Sequence, residues 1–204
     1  MKRVFLLCFA VFLVTGQLYA ADQNVTGESP SAEAPVLTVG DTWTIDGWRF
    51  ESPVTSTFIG EEDGLLVFDV GNGKKRYKSK DHNLVKDVKN GKVKNTRIPD
   101  MGFLRFPLFI GKSWTHPYQN DDIPRTANYR VTAYEKVTVR AGTFDVFRIE
   151  GLDKRDDKNY GIVVTIWYAP SVKTVVKLKG EDQYSHDTVK GWKWELVSFG
   201  LKKP

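Results

Sequence analysis

Tyr129-Arg130-Val131-Thr132-Ala133-Tyr134-Glu135-Lys136-Val137-Thr138-Val139-Arg140-Ala141-Gly142-Thr143-Phe144-Asp145-Val146-Phe147-Arg148-Ile149-Glu150 decides the fold class. Tyr129, Val131, Ala133, Val137 and Val139 alternate with Arg130, Thr132, Lys136 and Thr138. A period of two is that of a half-buried strand. Ala141-Gly142 turns the chain, and Thr143 to Glu150 runs back as a second strand.

The same reading extends in both directions. Ile162 to Tyr168 is the most β-branched run in the chain, and Ala169-Pro170 ends it. Thr174 to Leu178 and Trp192 to Leu196 follow as strands, with Trp192, Trp194 and Leu196 on one face. Upstream, two Asn-Gly pairs predict hairpins. A two-residue turn at Asn72-Gly73 places Phe68 opposite Tyr77 and Asp69 opposite Arg76. A second at Asn90-Gly91 places Val88 opposite Val93 and Asp87 opposite Lys94. No window beyond the N-terminal region has helical periodicity. The expected fold is all-β: a single antiparallel sheet, strongly curved or closed into part of a barrel.

Residues 1–20 read as a signal peptide. Lys2 and Arg3 precede an apolar run from Val4 to Val14, which is too short to span a bilayer, and cleavage is expected near Ala20. Residues 21–36 read as a flexible linker and 37–204 as one β domain. The expected compartment is periplasmic or extracellular. Cys8, the single cysteine, lies in the signal, so the mature chain has no disulfide and no thiol nucleophile.

Removing Lys2 and Arg3 lowers the formal charge from +5 to +3. Lys74 to Arg97 holds ten basic residues against Asp81 and Asp87, a net +8, so the remainder carries −5. Lys74, Arg76, Lys78 and Lys80 share one strand face and are the candidate contacts to an anionic surface, whether lipid headgroup or acidic protein. The competing reading is lysine protection of a sheet edge. Nucleic acid is not an expected partner, because Tyr77 alone interleaves these charges.

Catalytic patterns are missing. His82, His116 and His186 sit in polar, turn-like stretches and read as exposed loop residues. No Gly-x-Ser-x-Gly or His-Glu-x-x-His occurs. Asp121-Asp122 and Asp156-Asp157 lack the spacing of a calcium loop, so neither metal nor cofactor is expected. The apolar segment Met101 to Ile110, broken by Gly and Pro, reads as core, or alternatively as a lining of the sheet's open side.

Gly40-Asp41-Thr42-Trp43-Thr44 is echoed by Gly111-Lys112-Ser113-Trp114-Thr115. Five residues are too few to establish a repeat. With Ala141-Gly142-Thr143-Phe144 and Trp167-Tyr168-Ala169-Pro170-Ser171-Val172, these motifs resemble a group of uncharacterised exported bacterial β-proteins. Ile45 and Lys173 depart from that group's usual Tyr and Gly. The resemblance implies a curved sheet shaped like a lipoprotein-carrier half-barrel and brings no catalytic residue. The leading expectation is a non-enzymatic envelope module binding an apolar or anionic partner, such as a lipid, another anionic envelope component or an envelope protein. The alternatives are a hydrolase with a loop-assembled site and an adaptor with no small ligand.

Overall fold

A computed structural model describes residues 29–47, 50–182 and 192–203. The expected signal peptide, its cleavage point, Trp48 and His186 lie outside the described residues. The protein is all-β. In chain order the strands are β1 (Ser31–Ala32), β2 (Thr42–Gly47), β3 (Val54–Glu62), β4 (Leu65–Asp69), β5 (Lys74–Lys78), β6 (Leu84–Lys89), β7 (Lys92–Ile98), β8 (Leu108–Phe109), β9 (Ser113–Asn120), β10 (Ile123–Val139), β11 (Gly142–Arg155), β12 (Gly161–Ala169), β13 (Thr174–Asp182) and β14 (Trp192–Gly200). A 3-10 turn, Pro170–Val172, joins β12 to β13.

Twelve strands form one antiparallel sheet that curves until it closes, in the order β10-β11-β12-β13-β14-β2-β3-β4-β5-β6-β7-β9 and back to β10. The β10–β11 hairpin is the one read from Tyr129 to Glu150, and it pairs from Arg125↔Arg155 to Val139↔Gly142. The ring is thinnest between β7 and β9, where two residue pairs meet, Arg97↔Asn120 and Ile98↔Gln119. Asp121 reinforces that seam, its amide donating to the Thr96 carbonyl and its carboxylate accepting from the Thr96 amide.

The far end of the stretch expected as linker is ordered. Ser31–Ala32 pairs with Leu108–Phe109, and Ala32 is buried in the core. A small side chain there fits against Leu108, which a polar linker composition does not reveal.

The five-residue echo marks a repeated plan. Gly40 and Gly111 both have positive φ, 94° and 92°. Their amides donate to the carbonyls of Phe58 and Val131, whose own amides donate back to Asp41 and Lys112. Just beyond, β3 and β10 bulge at Phe58/Gly60 and Val131/Ala133. Two strands further on, the pairing shifts again at Tyr77/Lys78 and Trp167/Tyr168. Bulges bend a sheet, so matched bulges give the halves matched curvature. Direct partners run Phe58–Phe68–Arg76–Asp87 in one half and Val131–Ile149–Ile166–Leu178 in the other. Leu66–Lys78 corresponds to Phe147–Tyr168.

The first hairpin differs from its expected register by one residue. Phe68 faces Arg76, and Tyr77 faces Val67. The loop is three residues, Gly71-Asn72-Gly73, all at positive φ, and the Asp69 carboxylate accepts from the Gly71 amide. Two flanking glycines permit the longer left-handed loop that an Asn-Gly reading alone overlooks. A shift of one residue exchanges the two faces of a strand. The second hairpin pairs Val88 with Val93 as expected, but a bulge moves Asp87 from Lys94 to Asn95.

Candidate functional site

The exchanged face determines where the basic strand points. Tyr77 is buried, with its hydroxyl donating to Glu62, while Lys75 beside it is exposed. Arg76 and Lys78 turn the other way and line the barrel interior. The four candidates Lys74, Arg76, Lys78 and Lys80 therefore do not form one exposed patch. Lys80 stays outside and pairs with Glu61. Lys74 and Arg76 share Asp87, at 3.6 and 3.0 Å, and Asp87 is buried.

Lys78 has no carboxylate within ion-pairing distance among the described residues. Its ammonium lies 4.6 Å from the centre of the Phe68 ring. Burial, followed by the charge of Arg76, pushes its pKa down to about 7. The side chain keeps some accessible surface because a cavity touches it, although protein surrounds it.

That cavity has a volume of about 240 Å³. Its apolar wall includes Phe50, Met101, Phe103, Leu178 and Trp194. A second chamber of about 310 Å³ shares Phe50, Met101, Phe103 and Trp194 with it. A smaller recess of about 80 Å³ adjoins Arg76 and Lys78 on the side of Trp43 and Phe68. The segment Met101 to Ile110 serves both roles weighed for it. Leu104 and Leu108 are buried in the core, while Met101 and Phe103 line both chambers. Trp114 pins it, Nε1 donating to the Gly102 carbonyl at 2.9 Å, and Asn83 bridges to Leu104 through both its amide atoms.

Neither described histidine is an exposed loop residue. His116 lies on an inward position of β9, where alternation sets it between Trp114 and Tyr118. Its Nε2 is 2.9 Å from the Asp100 carbonyl and 3.2 Å from that carboxylate. The Asp100 hydrogen bond raises the His116 pKa. His82, at φ 63°, lines the cavity beside Lys78, and its buried Nε2 has no hydrogen-bond partner among the described residues. Burial and then the charge of Lys78 push its pKa down to about 3, so the ring is neutral. In the second chamber Asp153 accepts from Tyr118 Oη at 2.7 Å and Arg125 Nε at 2.8 Å. Sequence reading named Lys78 and His82 but set both on the surface, and it missed this trio, because it does not show which polar residues turn inward.

Three residues of the two acidic pairs are engaged locally. Asp121 holds Thr96, Asp156 accepts from Thr126, and Asp157 pairs with Arg155. Among the described residues, no group of three or more His, Cys, Asp or Glu could hold a metal.

No family model matches the sequence, and no curated protein matches it. Among solved structures, the hypothetical lipoprotein YmcC of Escherichia coli K12 is similar at a TM-score of 0.46 and 13% identity, covering 83% of this chain and 91% of that one. A protein of Parabacteroides distasonis ATCC 8503, described as a lipoprotein, is similar at 0.44 and 12%, covering 83% and 99%. A Bacteroides fragilis NCTC 9343 protein, described as exported and YmcC-like in fold, is similar at 0.41 and 10%, covering 83% and 99%. These are distant likenesses of shape and assign neither a function nor a compartment to this chain.

Proposed function

We propose that this chain is a non-enzymatic, exported binding module of the cell envelope that takes an apolar or amphiphilic small molecule inside its barrel. The observation that carries this reading is the interior space lined by Phe50, Met101, Phe103, Leu178 and Trp194. Well-packed interiors leave few voids larger than a water molecule. Chambers of about 240 and 310 Å³ sharing four residues instead suit an apolar chain. The sequence supports export through its signal-like first twenty residues. Among the described residues the contacts of His116 Nε2 go to Asp100, and no hydroxyl is hydrogen-bonded to His116 or His82, so neither forms a nucleophile–base pair.

The test is displacement of a neutral, environment-sensitive naphthylamine dye by a series of straight-chain alcohols. Burying one methylene is worth about 0.8 kcal/mol, so each added carbon should tighten binding about fourfold until the space is full. An absence of dye binding, or affinity that ignores chain length, would overturn the reading.

A further inference from the structure

We infer that the molecule held in this barrel carries an anionic oxygen head on a single apolar tail, and that Lys78, with Arg76 beside it, binds that head. The inference deepens the interior-cavity reading and rests on it.

The repeated plan of the barrel is the strongest support. At the rungs where one half has Lys74, Arg76, Lys78 and Asp87, the other has Val164, Ile166, Tyr168 and Leu178. All four of those residues are buried. The same backbone plan thus packs well with uncharged side chains at these positions, and curvature does not demand the charges. They nevertheless converge on one wall of the interior. Asp87 answers Lys74 and Arg76, which leaves Lys78 as the cation without a carboxylate among the described residues. An unpaired buried charge is costly, and a guest anion removes that cost.

His82, neutral beside Lys78, lies on the wall of the same cavity and offers the guest no competing charge. The apolar wall runs from this point past Met101 and Phe103 into the second chamber, which is the path for a tail. A charged head at Lys78 and a chain extending toward Trp194 account for both surfaces at once. Carboxylates and phosphate esters share this chemistry, and binding distinguishes them.

The experiment compares dodecanol, dodecanoate and dodecyl phosphate in the dye-displacement assay, in slightly acid buffer where the ammonium is protonated. A hydrogen-bonded charge contact is worth enough to favour an anion over the alcohol about tenfold or more. Lys78→Met should bring the anions to the level of the alcohol measured on the same variant, whose binding of the alcohol also shows that it is folded. Lys75→Met, one residue away on the outer face, should change nothing. A gain for dodecanoate, dodecyl phosphate or both supports the inference and names the source. If the alcohol binds and neither anion binds better, the head site is wrong while the cavity reading stands. If none of the three displaces the dye, both fall. Should Lys78→Met fold poorly, the three heads on the wild-type protein decide the matter alone.

Discussion

Replacing Lys78 with methionine should stabilise the empty protein, and the gain should fade as pH rises. Methionine keeps the length of the side chain and removes the charge. Lowering a lysine pKa from 10.5 to about 7 corresponds to roughly 5 kcal/mol, at about 1.4 kcal/mol for each factor of ten. Solvent reaching the partly exposed side chain screens part of this. The contact with the Phe68 ring returns about 1 kcal/mol that the variant loses. The expected net gain is about 2 kcal/mol. Below pH 7 the ammonium is charged in both folded and unfolded chains, and the whole penalty applies. Between pH 7 and 10.5 the unfolded chain holds more protons, so wild-type stability rises with pH. Above 10.5 the penalty is gone. Urea denaturation of both proteins across this range measures the difference directly. A variant no more stable than wild type at about pH 6, or a gap that does not narrow by about pH 9, would refute the placement of an unpaired ammonium in the interior.

Three other perturbations probe the walls. Asp153→Ala leaves Arg125, 6% exposed, without its partner and should cost about 3 to 5 kcal/mol in urea denaturation; a loss below about 1 kcal/mol contradicts the buried trio. His116→Gln should destabilise by about 1 to 2 kcal/mol at acid pH. Since its folded pKa is raised, the contribution is complete below 6.5 and disappears as pH climbs through the folded value, so a difference that grows with pH excludes the Asp100 pairing. Gly102→Ala meets a positive φ of 67° and would set its Cβ 2.2 Å from His116 Cδ2, so it should cost about 2 to 3 kcal/mol and lower the melting temperature; an unchanged melting temperature rejects that close approach.

Much of the barrel was legible because its strands announce themselves locally. Alternation from Tyr129 to Val139 and the Ala141-Gly142 turn fix the longest hairpin without any knowledge of neighbours. Register was less accessible. Gly71 lengthened one loop by a residue, and that residue decided which way Arg76 and Lys78 point. The site was legible only as an unexplained excess of positive charge. An exposed lysine and a buried one are identical letters, and what separates Lys78 from Lys75 is the far wall of a ring that closes through residues distant in sequence. The repeat was hidden for a related reason. Hydrogen bonds by Gly40 and Gly111 and the paired bulges preserve it in the backbone, whereas the side chains on matched rungs, Arg76 and Ile166 for example, share nothing.

A ring made of unequal joints has two characteristic energies. Most of this wall is long and continuous, but β7 and β9 meet through two pairs and the Asp121 cap. Proteins open locally in units whose free energies extend far below that of global unfolding. Parting this joint leaves both core clusters with their partners on the longer ladders, and it opens the wall beside Arg97 and Asn120, which border the second chamber. For the guest proposed above, residence time and thermal tolerance would then be largely uncoupled. The first would depend on a clasp of a few rungs and the second mainly on the rest of the circumference, so a change at the clasp would alter how quickly that guest is exchanged far more than it moves the melting point.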